Sequence, residues 1–402
     1  MSVSQAPTTN NVSFFQRLLK WIFLCGLIGL SSGSASALFL STLDFVTNFR
    51  ESHIWIIVFL PIAGFCVGWV YHRYGKEVEG GNKILLKAIQ DPHQKITPWI
   101  MAPFIYVGTL LTHLFGGSAG REGTALQMSG AIADQFSKPF ALNEQERKTL
   151  LIAAIAAGFG AVFGTPLAGF IFALEINRRS KLSYHSILPT FISAILADMV
   201  TRASGVPHTL YIVDIIPSIS WINMGYTVLA GILFGACAFV FTKLMHLTSY
   251  QYKKRIPYSP MRPFIGGVIL ILLFWWIGNS KYMGLGIPVI VQSFSEQMEV
   301  YDFALKLLLT VLTLAAGFKG GEVTPLFFIG ALLGNALSIW IPLPLALLSG
   351  LGFVSVFAGA TNAPLACMVM AMELFGKEIM PYAMIACFVA YLLSGKSSIY
   401  QS

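Results

Sequence analysis

Charge is what this sequence has least of. Asp, Glu, Lys and Arg make up 11% of its 402 residues, where a soluble globular domain carries about 25%. That scarcity excludes a water-soluble globular chain. Cysteine is sparse too. Cys25, Cys66, Cys237, Cys367 and Cys387 stand singly in apolar segments, with neither disulfide nor zinc spacing, and read as small packing residues. The seven histidines form no i, i+4 pair, so no metal site and no cofactor are expected. No nucleophile–base pair accompanies the acids, which argues against an intramembrane enzyme. The net charge of +8 comes without a basic stripe interleaved with aromatics, so nucleic acid is not an expected partner. The basic residues sit instead in short connectors: "FFQRLLK" before Trp21, "HRYGK" at 72–76, "NRRSK" at 177–181 and "YKKRIPYSPMR" at 252–262.

Apolar sequence fills the space that charge leaves. Hydrophobic residues are 55% of the chain and the mean hydropathy is +0.71. Thr149–Leu174 and Ile215–Thr242 are uncharged, and Val323–Met372 is an uncharged run of 50 residues. A hydrocarbon core of about 30 Å takes about 20 residues of helix, so the longest run holds more than one segment. The expected class is an all-α polytopic membrane protein of the cell (inner) membrane, with the lipid bilayer as its surroundings. The positive-inside rule puts the basic connectors, and with them both termini, in the cytoplasm. Arg17 and Lys20 followed by "WIFLCGLIGL" and "SSGSASA" look like a secretory signal. The apolar text resumes at "LFLSTLDFV", which makes this a first long membrane helix after a cytoplasmic segment over 1–20.

Two stretches share one pattern. "GREGTALQMSGA" (Gly120–Ala131) and "GGEVTPLFFIGA" (Gly320–Ala331) both fit G-x-E-x-T-x-L-x-x-x-G-A, 200 residues apart. "TPLAGFIFALE" (Thr165–Glu175) likewise matches "APLACMVMAME" (Ala363–Glu373), with proline nine residues before glutamate in both. The acids therefore form equivalent pairs, Glu122 with Glu175 at a spacing of 53 and Glu322 with Glu373 at 51. This is an internal duplication within one membrane domain over 21–402, with halves at roughly 21–205 and 215–402. In transporters such repeats are commonly inverted, with the ion site at their interface.

The repeated pieces are too short to span. Glycine- or proline-headed apolar segments of this length suit broken or re-entrant helices, which survive at membrane depth only when buried in protein or lining a cavity. Their N-termini carry unpaired N–H groups and the positive end of the helix dipole. Several such ends converging make an anion site without a basic side chain. A glutamate placed there is costly and functional by default. Desolvation disfavours its charged form, so it can exchange a proton near neutrality. As a carboxylate it can also occupy the anion's place. Each acid has a plainer alternative as well. Glu122 can pair with Arg121 and Glu322 with Lys319. Glu175 has Arg178 and Arg179 nearby for a surface salt bridge, and Glu373 has Lys377 at i+4. The 31 phenylalanines read as packing and lipid contact.

"GSAGREGT" (Gly117–Thr124) resembles the G-[KR]-E-G-P signature of the CLC chloride channels and transporters. "EGGNKI" (Glu79–Ile84) is similar to that family's G-S-G-I-P element, "GGEVTP" (Gly320–Pro325) to its G-x-F-x-P element, and "GKSSIYQS" to the stretch with its central tyrosine. These elements occur in the family's order. The resemblance implies a CLC-type fold of eighteen helices in two inverted repeats, and a homodimer with one pore per subunit. It implies that Glu122 is the gating glutamate and Tyr400 a central anion contact. Backbone N–H groups near Gly120, Gly123, Val323 and Thr324 would face the anion. No regulatory domain is expected after Tyr400.

Departures from the pattern narrow the expectation. Thr124 replaces the signature's proline, Asn82 stands in place of the anion-binding serine, and Glu322, Val323 and Thr324 replace the usual residues of the third element. Ile176 holds the position of the inner proton-transfer glutamate of chloride–proton exchangers. This combination resembles the fluoride–proton antiporter branch. There, Asn82, Glu322, Thr324 and Tyr400 would be substrate-site residues, with fluoride and protons as partners. Asn82 can alternatively be an ordinary helix cap. Fluoride is small and strongly hydrated, and the Asn82 amide and the Thr324 and Tyr400 hydroxyls are compact donors. With Ile176 inert, Glu322, the duplicate of Glu122, is the candidate proton relay. A chloride–proton exchanger and a passive anion channel of the same fold are the alternatives.

Overall fold

The computed structural model describes residues 14–91, 93–177, 184–395 and 398–400. Arg178 and Arg179, proposed partners of Glu175, lie outside the described residues. The first half runs through α1 (Phe14–Ser52), α2 (Leu60–Tyr74), α3 (Asn82–Gln90), α4 (Met101–Leu114), α5 (Glu122–Asp134), α6 (Glu144–Phe163), α7 (Pro166–Glu175) and α8 (Ile187–Ala203). The second runs through α9 (Trp221–Arg255), α10 (Met261–Ile277), α11 (Ile287–Gln292), α12 (Asp302–Ala316), α13 (Val323–Leu337), α14 (Leu345–Thr361), α15 (Pro364–Phe375) and α16 (Met380–Leu393). An irregular stretch over 204–220 joins them. Where eighteen helices were expected, sixteen α-helices are present among the described residues, and six short pieces are 3-10 turns instead. Helix α1 is already under way at Phe14, inside the segment expected to precede the membrane, and continues unbroken through the signal-like stretch.

Among the described residues, four helical stretches are long and apolar enough to cross a membrane: Phe15–Ser52, Ile54–Tyr74, Tyr184–Ala203 and Trp221–Arg255. The repeat helices are not. At 1.5 Å per residue, α5 reaches about 20 Å and α13 about 22 Å, against about 30 Å of hydrocarbon. Both are almost wholly buried, as broken helices at membrane depth must be. Close backbone approach makes this burial possible. A Cβ on Gly330 of α13 would lie 2.1 Å from the Gly352 carbonyl oxygen of α14, and one on Gly352 would lie 2.0 Å from that of Gly330. Only glycine at both positions lets the helices cross there.

The two halves meet through reciprocal contacts. Gly120 N–H donates to the Gly321 carbonyl at 2.6 Å and Gly321 N–H to the Gly120 carbonyl at 2.8 Å, an antiparallel bridge between the two copies of the motif. Glu175, at the C-terminal end of α7, accepts from Leu365 and Ala366 N–H (3.2 and 2.9 Å) at the start of α15. Glu373, near the end of α15, accepts from Leu167 and Ala168 N–H (2.9 and 2.7 Å) at the start of α7. Each helix is capped by the other's acid, so the two run antiparallel and the halves are inverted. This gives the second acid of each pair, Glu175 and Glu373, a capping role. Glu373 makes the cap rather than an i+4 pair with Lys377, and Glu175 reaches across the repeat. The reason is that unpaired N–H groups at a buried helix start need an acceptor more than an exposed lysine needs a partner. Glu373→Ala is expected to cost about 1–2 kcal/mol, the upper range for a helix cap. A thermal melt in detergent checks it, and Glu175→Ala is expected to behave alike.

Candidate functional site

Glu122 is the first residue of α5 and is completely buried. Its Oε2 accepts from the Arg121 and Thr324 backbone N–H groups, both at 3.1 Å. The Thr324 hydroxyl donates to its Oε1. The Arg121 Nε lies 3.8 Å from that Oε1, so the local Arg–Glu pairing is loose and the tight contacts go to the other half of the molecule. Thr324 is the second residue of α13. The carboxylate thus sits on the positive end of α13's dipole, where an anion would bind. Glycine makes room for it: a Cβ on Gly120 would lie 2.7 Å from the Glu122 Oε2.

The other expected backbone donors divide. Gly120 spends its N–H on the Gly321 carbonyl, so the neighbouring Arg121 N–H is the one that meets the carboxylate. Gly123 packs against both other elements, since a Cβ there would lie 3.1 Å from the Gly321 Cα and 3.2 Å from the Asn82 Nδ2. Val323 opens α13 and is buried. Thr124 is occupied otherwise, its hydroxyl 2.6 Å from that of Thr109 on α4. That bond ties the first turn of α5 to its neighbour, a job the signature's proline could not do.

Asn82, Glu322 and Tyr400 converge on one cavity of ≈ 650 Å³. Asn82 is the first residue of α3, and no side-chain cap bond is made at that helix start, which sets aside its plain capping role. Its Oδ1 is buried with no hydrogen-bond partner among the described residues, and so is the Tyr400 hydroxyl. Buried polar groups are nearly always paired, and of these two only the Tyr400 hydroxyl can donate to an anion, since the Asn82 Oδ1 is an acceptor and its amide NH₂ is the donor. Glu322 is the N-cap residue of α13 and half-buried. It lines this cavity, whereas Glu122 does not. The two acids therefore stand at the same helix start, one sealed in protein and one open to the cavity.

Ile176 is the C-cap residue of α7 and is buried. It lines a narrow apolar crevice with Leu86, Leu126, Ile155, Asn82 and Tyr400, so no acid replaces the missing inner glutamate at that spot. The aromatic wall around Tyr400 escaped the sequence analysis. The Phe172 ring meets the Tyr400 ring edge-on at 6.1 Å and stacks on Phe159 at 4.4 Å. Phe159 in turn stacks on Phe357 at 6.2 Å. A signal for them existed. Phe159 and Phe357 each stand seven residues before the repeated proline, Pro166 or Pro364, so they are equivalent positions facing each other across the inverted halves.

Residues 63–395 match the family model described as the voltage gated chloride channel. The chain is 50% identical over 392 residues to a chloride/fluoride channel protein of Pseudomonas syringae pv. tomato, covering 96% of this chain and 86% of that one. A solved structure of a CLC-type fluoride/proton antiporter superposes with a TM-score of 0.92 at 36% identity, covering 96% of this chain and 98% of the other. A slow cyanobacterial Cl⁻/H⁺ antiporter superposes with a TM-score of 0.83 at 18% identity, covering 95% and 96%, a likeness of fold.

Proposed function

The chain belongs to the voltage-gated chloride channel, or CLC, family, and we propose that within it this protein exports fluoride from the cytoplasm in exchange for protons. One observation carries the reading. The Glu122 carboxylate sits at the α13 N-terminus, held by the Thr324 N–H and hydroxyl, and a helix start of this kind favours an anion. A proton on that carboxylate removes its charge and weakens its hold, so that an anion can replace it. The anion and the deprotonated carboxylate then become exclusive occupants of one place, and the proton decides between them. Glu122 is the gating glutamate in this scheme. Asn82, Thr324 and Tyr400 donate to the dehydrated anion, with backbone donors around Gly123 and Val323. Glu322 relays protons on the cavity side in place of an acid at Ile176.

The basic connectors support a cytoplasmic cavity face, which includes Lys253 and Arg262, by the positive-inside rule. Fluoride therefore enters through the cavity and leaves past Glu122. The names of the similar proteins support fluoride as the anion, one as a channel protein and one as an antiporter. The buried, titratable carboxylate in the anion's place favours the antiporter over a passive channel. The protein assembles as a homodimer, with α8, α15 and α16, which expose Ile187, Leu188, Leu365 and Met384, as the interface this reading favours. A light-scattering mass of twice the chain checks this.

Selectivity tests the choice of anion. Liposomes containing the protein are loaded with fluoride or chloride, and release is followed with the matching electrode. Fluoride is expected to leave much faster than chloride. Asn82→Ser is expected to shrink that preference about tenfold, the worth of one buried hydrogen bond at about 1.4 kcal/mol. Equal release of both ions by the parent protein contradicts the reading.

A further inference from the structure

Helix α12 carries Asp302, Lys306, Thr310 and Thr313 in an otherwise apolar sequence. Spaced at i, i+4, i+8 and i+11, they share one helical face, and all are completely buried. The transport scheme above uses none of them. Their partners lie on two short segments outside the helix. Asp302 accepts from the Lys281 Nζ at 2.8 Å and from the Tyr282 hydroxyl. The Lys306 ammonium donates to the Tyr282 and Gly284 carbonyls at 2.9 and 2.7 Å and lies 4.9 Å from the centre of the Phe328 ring of α13. Gly284 N–H in turn donates to the Gly117 carbonyl at 3.1 Å. One residue on, Ser118 N–H donates to the Thr313 hydroxyl at 3.2 Å, and the Ser118 and Thr310 hydroxyls lie 2.9 Å apart. The polar face therefore grips Gly117 and Ser118, which lead through the Gly120–Gly321 bridge to Glu122. At its C-terminal end the same helix runs on into Gly320 and Gly321 of the second motif. Helix α12 thus holds both strands of the bridge, one through hydrogen bonds and one through the chain itself.

We propose that α12 is the strut of the gate, and that Thr310 and Thr313 are positioning residues that act through Glu122 to keep anion passage tied to proton exchange. The Glu122 carboxylate is held on one side by the Arg121 N–H and on the other by the Thr324 N–H and hydroxyl. Those bonds coexist only while the strand before α5 keeps its register with the strand before α13, and Ser118 is where the first strand is pinned from outside. Valine keeps the shape of threonine but offers the Ser118 N–H no acceptor. A buried N–H left without a partner is costly, and the strand shifts to relieve it. The unprotonated carboxylate then leaves the α13 start more often, and an anion passes with no proton exchanged. The strut enforces coupling and touches neither ion. The inference rests on the transport reading above, in that Glu122 blocks the anion's place, but not on fluoride as the ion.

Thr310→Val/Thr313→Val in liposomes tests it, with equal fluoride on both sides, a fixed pH step and the voltage set by potassium and valinomycin. A coupled exchanger stops net fluoride flux at a voltage away from zero, and uncoupled passage pulls that voltage back. Losing the worth of one buried hydrogen bond leaves the unprotonated carboxylate off its place about fivefold more of the time. Proton-independent fluoride release is therefore expected to rise about fivefold, and the stopping voltage to move toward zero. Misfolding instead lowers release and leaves that voltage alone, because the voltage does not depend on how much protein is active. Thr310→Ser/Thr313→Ser is expected to restore the parent's values. In a Glu122→Gln background the valine pair is expected to change neither reading. If the valine pair does not fold, Ser118→Ala, which removes only the contact to Thr310, is expected to move both readings the same way. An unchanged stopping voltage, slower release, an equal leak in the serine pair, or added leak in the Glu122→Gln background overturns the proposal. If flux in the parent stops at zero voltage, the antiport reading fails. The release rates of the valine pair with and without Glu122 then still decide the strut, with chloride as the ion if fluoride does not move.

Discussion

Glu122→Gln will conduct its anion without moving protons. The parent carboxylate accepts three hydrogen bonds, two from backbone N–H groups and one from the Thr324 hydroxyl. Bonds to a charged group contribute about 1.5–3 kcal/mol, against about 0.5–1.5 for neutral ones. An amide keeps the shape but has one acceptor oxygen and no charge for the dipole of α13 to hold. Its NH₂ would also face donors. The side chain should therefore yield the α13 N-terminus to an anion more readily, by about tenfold or more at 1.4 kcal/mol per decade. It has no proton to exchange near neutrality. Parallel fluoride and pH electrodes on loaded liposomes read both fluxes. Fluoride release should persist while the proton signal falls to that of empty liposomes. Undiminished proton movement would remove Glu122 from the proton path.

Glu322→Gln is expected to leave anion binding nearly intact and to slow proton transfer by about 10²–10⁴, the range for losing a positioned acid–base group. The argument is positional. Protons leaving Glu122 need a titratable group reachable from the cavity, and the Ile176 position offers only an apolar crevice. Glu322 lines the cavity at the same helix start on which the Glu122 carboxylate sits. Stopped-flow pH decay in the same liposomes measures the effect. Coupling equal to that of the parent would reject the relay and leave direct exchange between Glu122 and the cavity water as the route.

The sequence disclosed the class and the candidate site in outline because both rest on local chemistry. Uncharged runs imply membrane helices, and a glutamate headed by glycines implies a helix start. The matched motifs implied two halves, and Asn82, Glu322 and Tyr400 do line one cavity. What it withheld is set by contacts between distant residues. Glu175 looked like one end of a surface ion pair because its neighbours in sequence are basic, but its carboxylate reaches 190 residues along the chain to Leu365. Glu373 misled in the same way through Lys377. Gly120 looked like an anion donor until its N–H was found bonded to Gly321, a pairing that only the docking of the halves creates. The inversion itself was invisible in composition and connector charge, and follows from the antiparallel caps and bridge. Phe159 and Phe357 were concealed by abundance among 31 phenylalanines, although their equal distance from the repeated prolines marked them out.

The central claim is that one carboxylate alternates between carrying a proton and standing in for an anion. The most direct test is whether a proton gradient alone drives fluoride uphill. Liposomes with equal fluoride on both sides, clamped to zero voltage with potassium and valinomycin, are given a pH step. Fluoride should accumulate on the side from which protons depart, against its own gradient, and Glu122→Gln should abolish the movement. Fluoride that stays at equal concentration under a maintained pH step, as a passive anion pathway requires, would contradict the account.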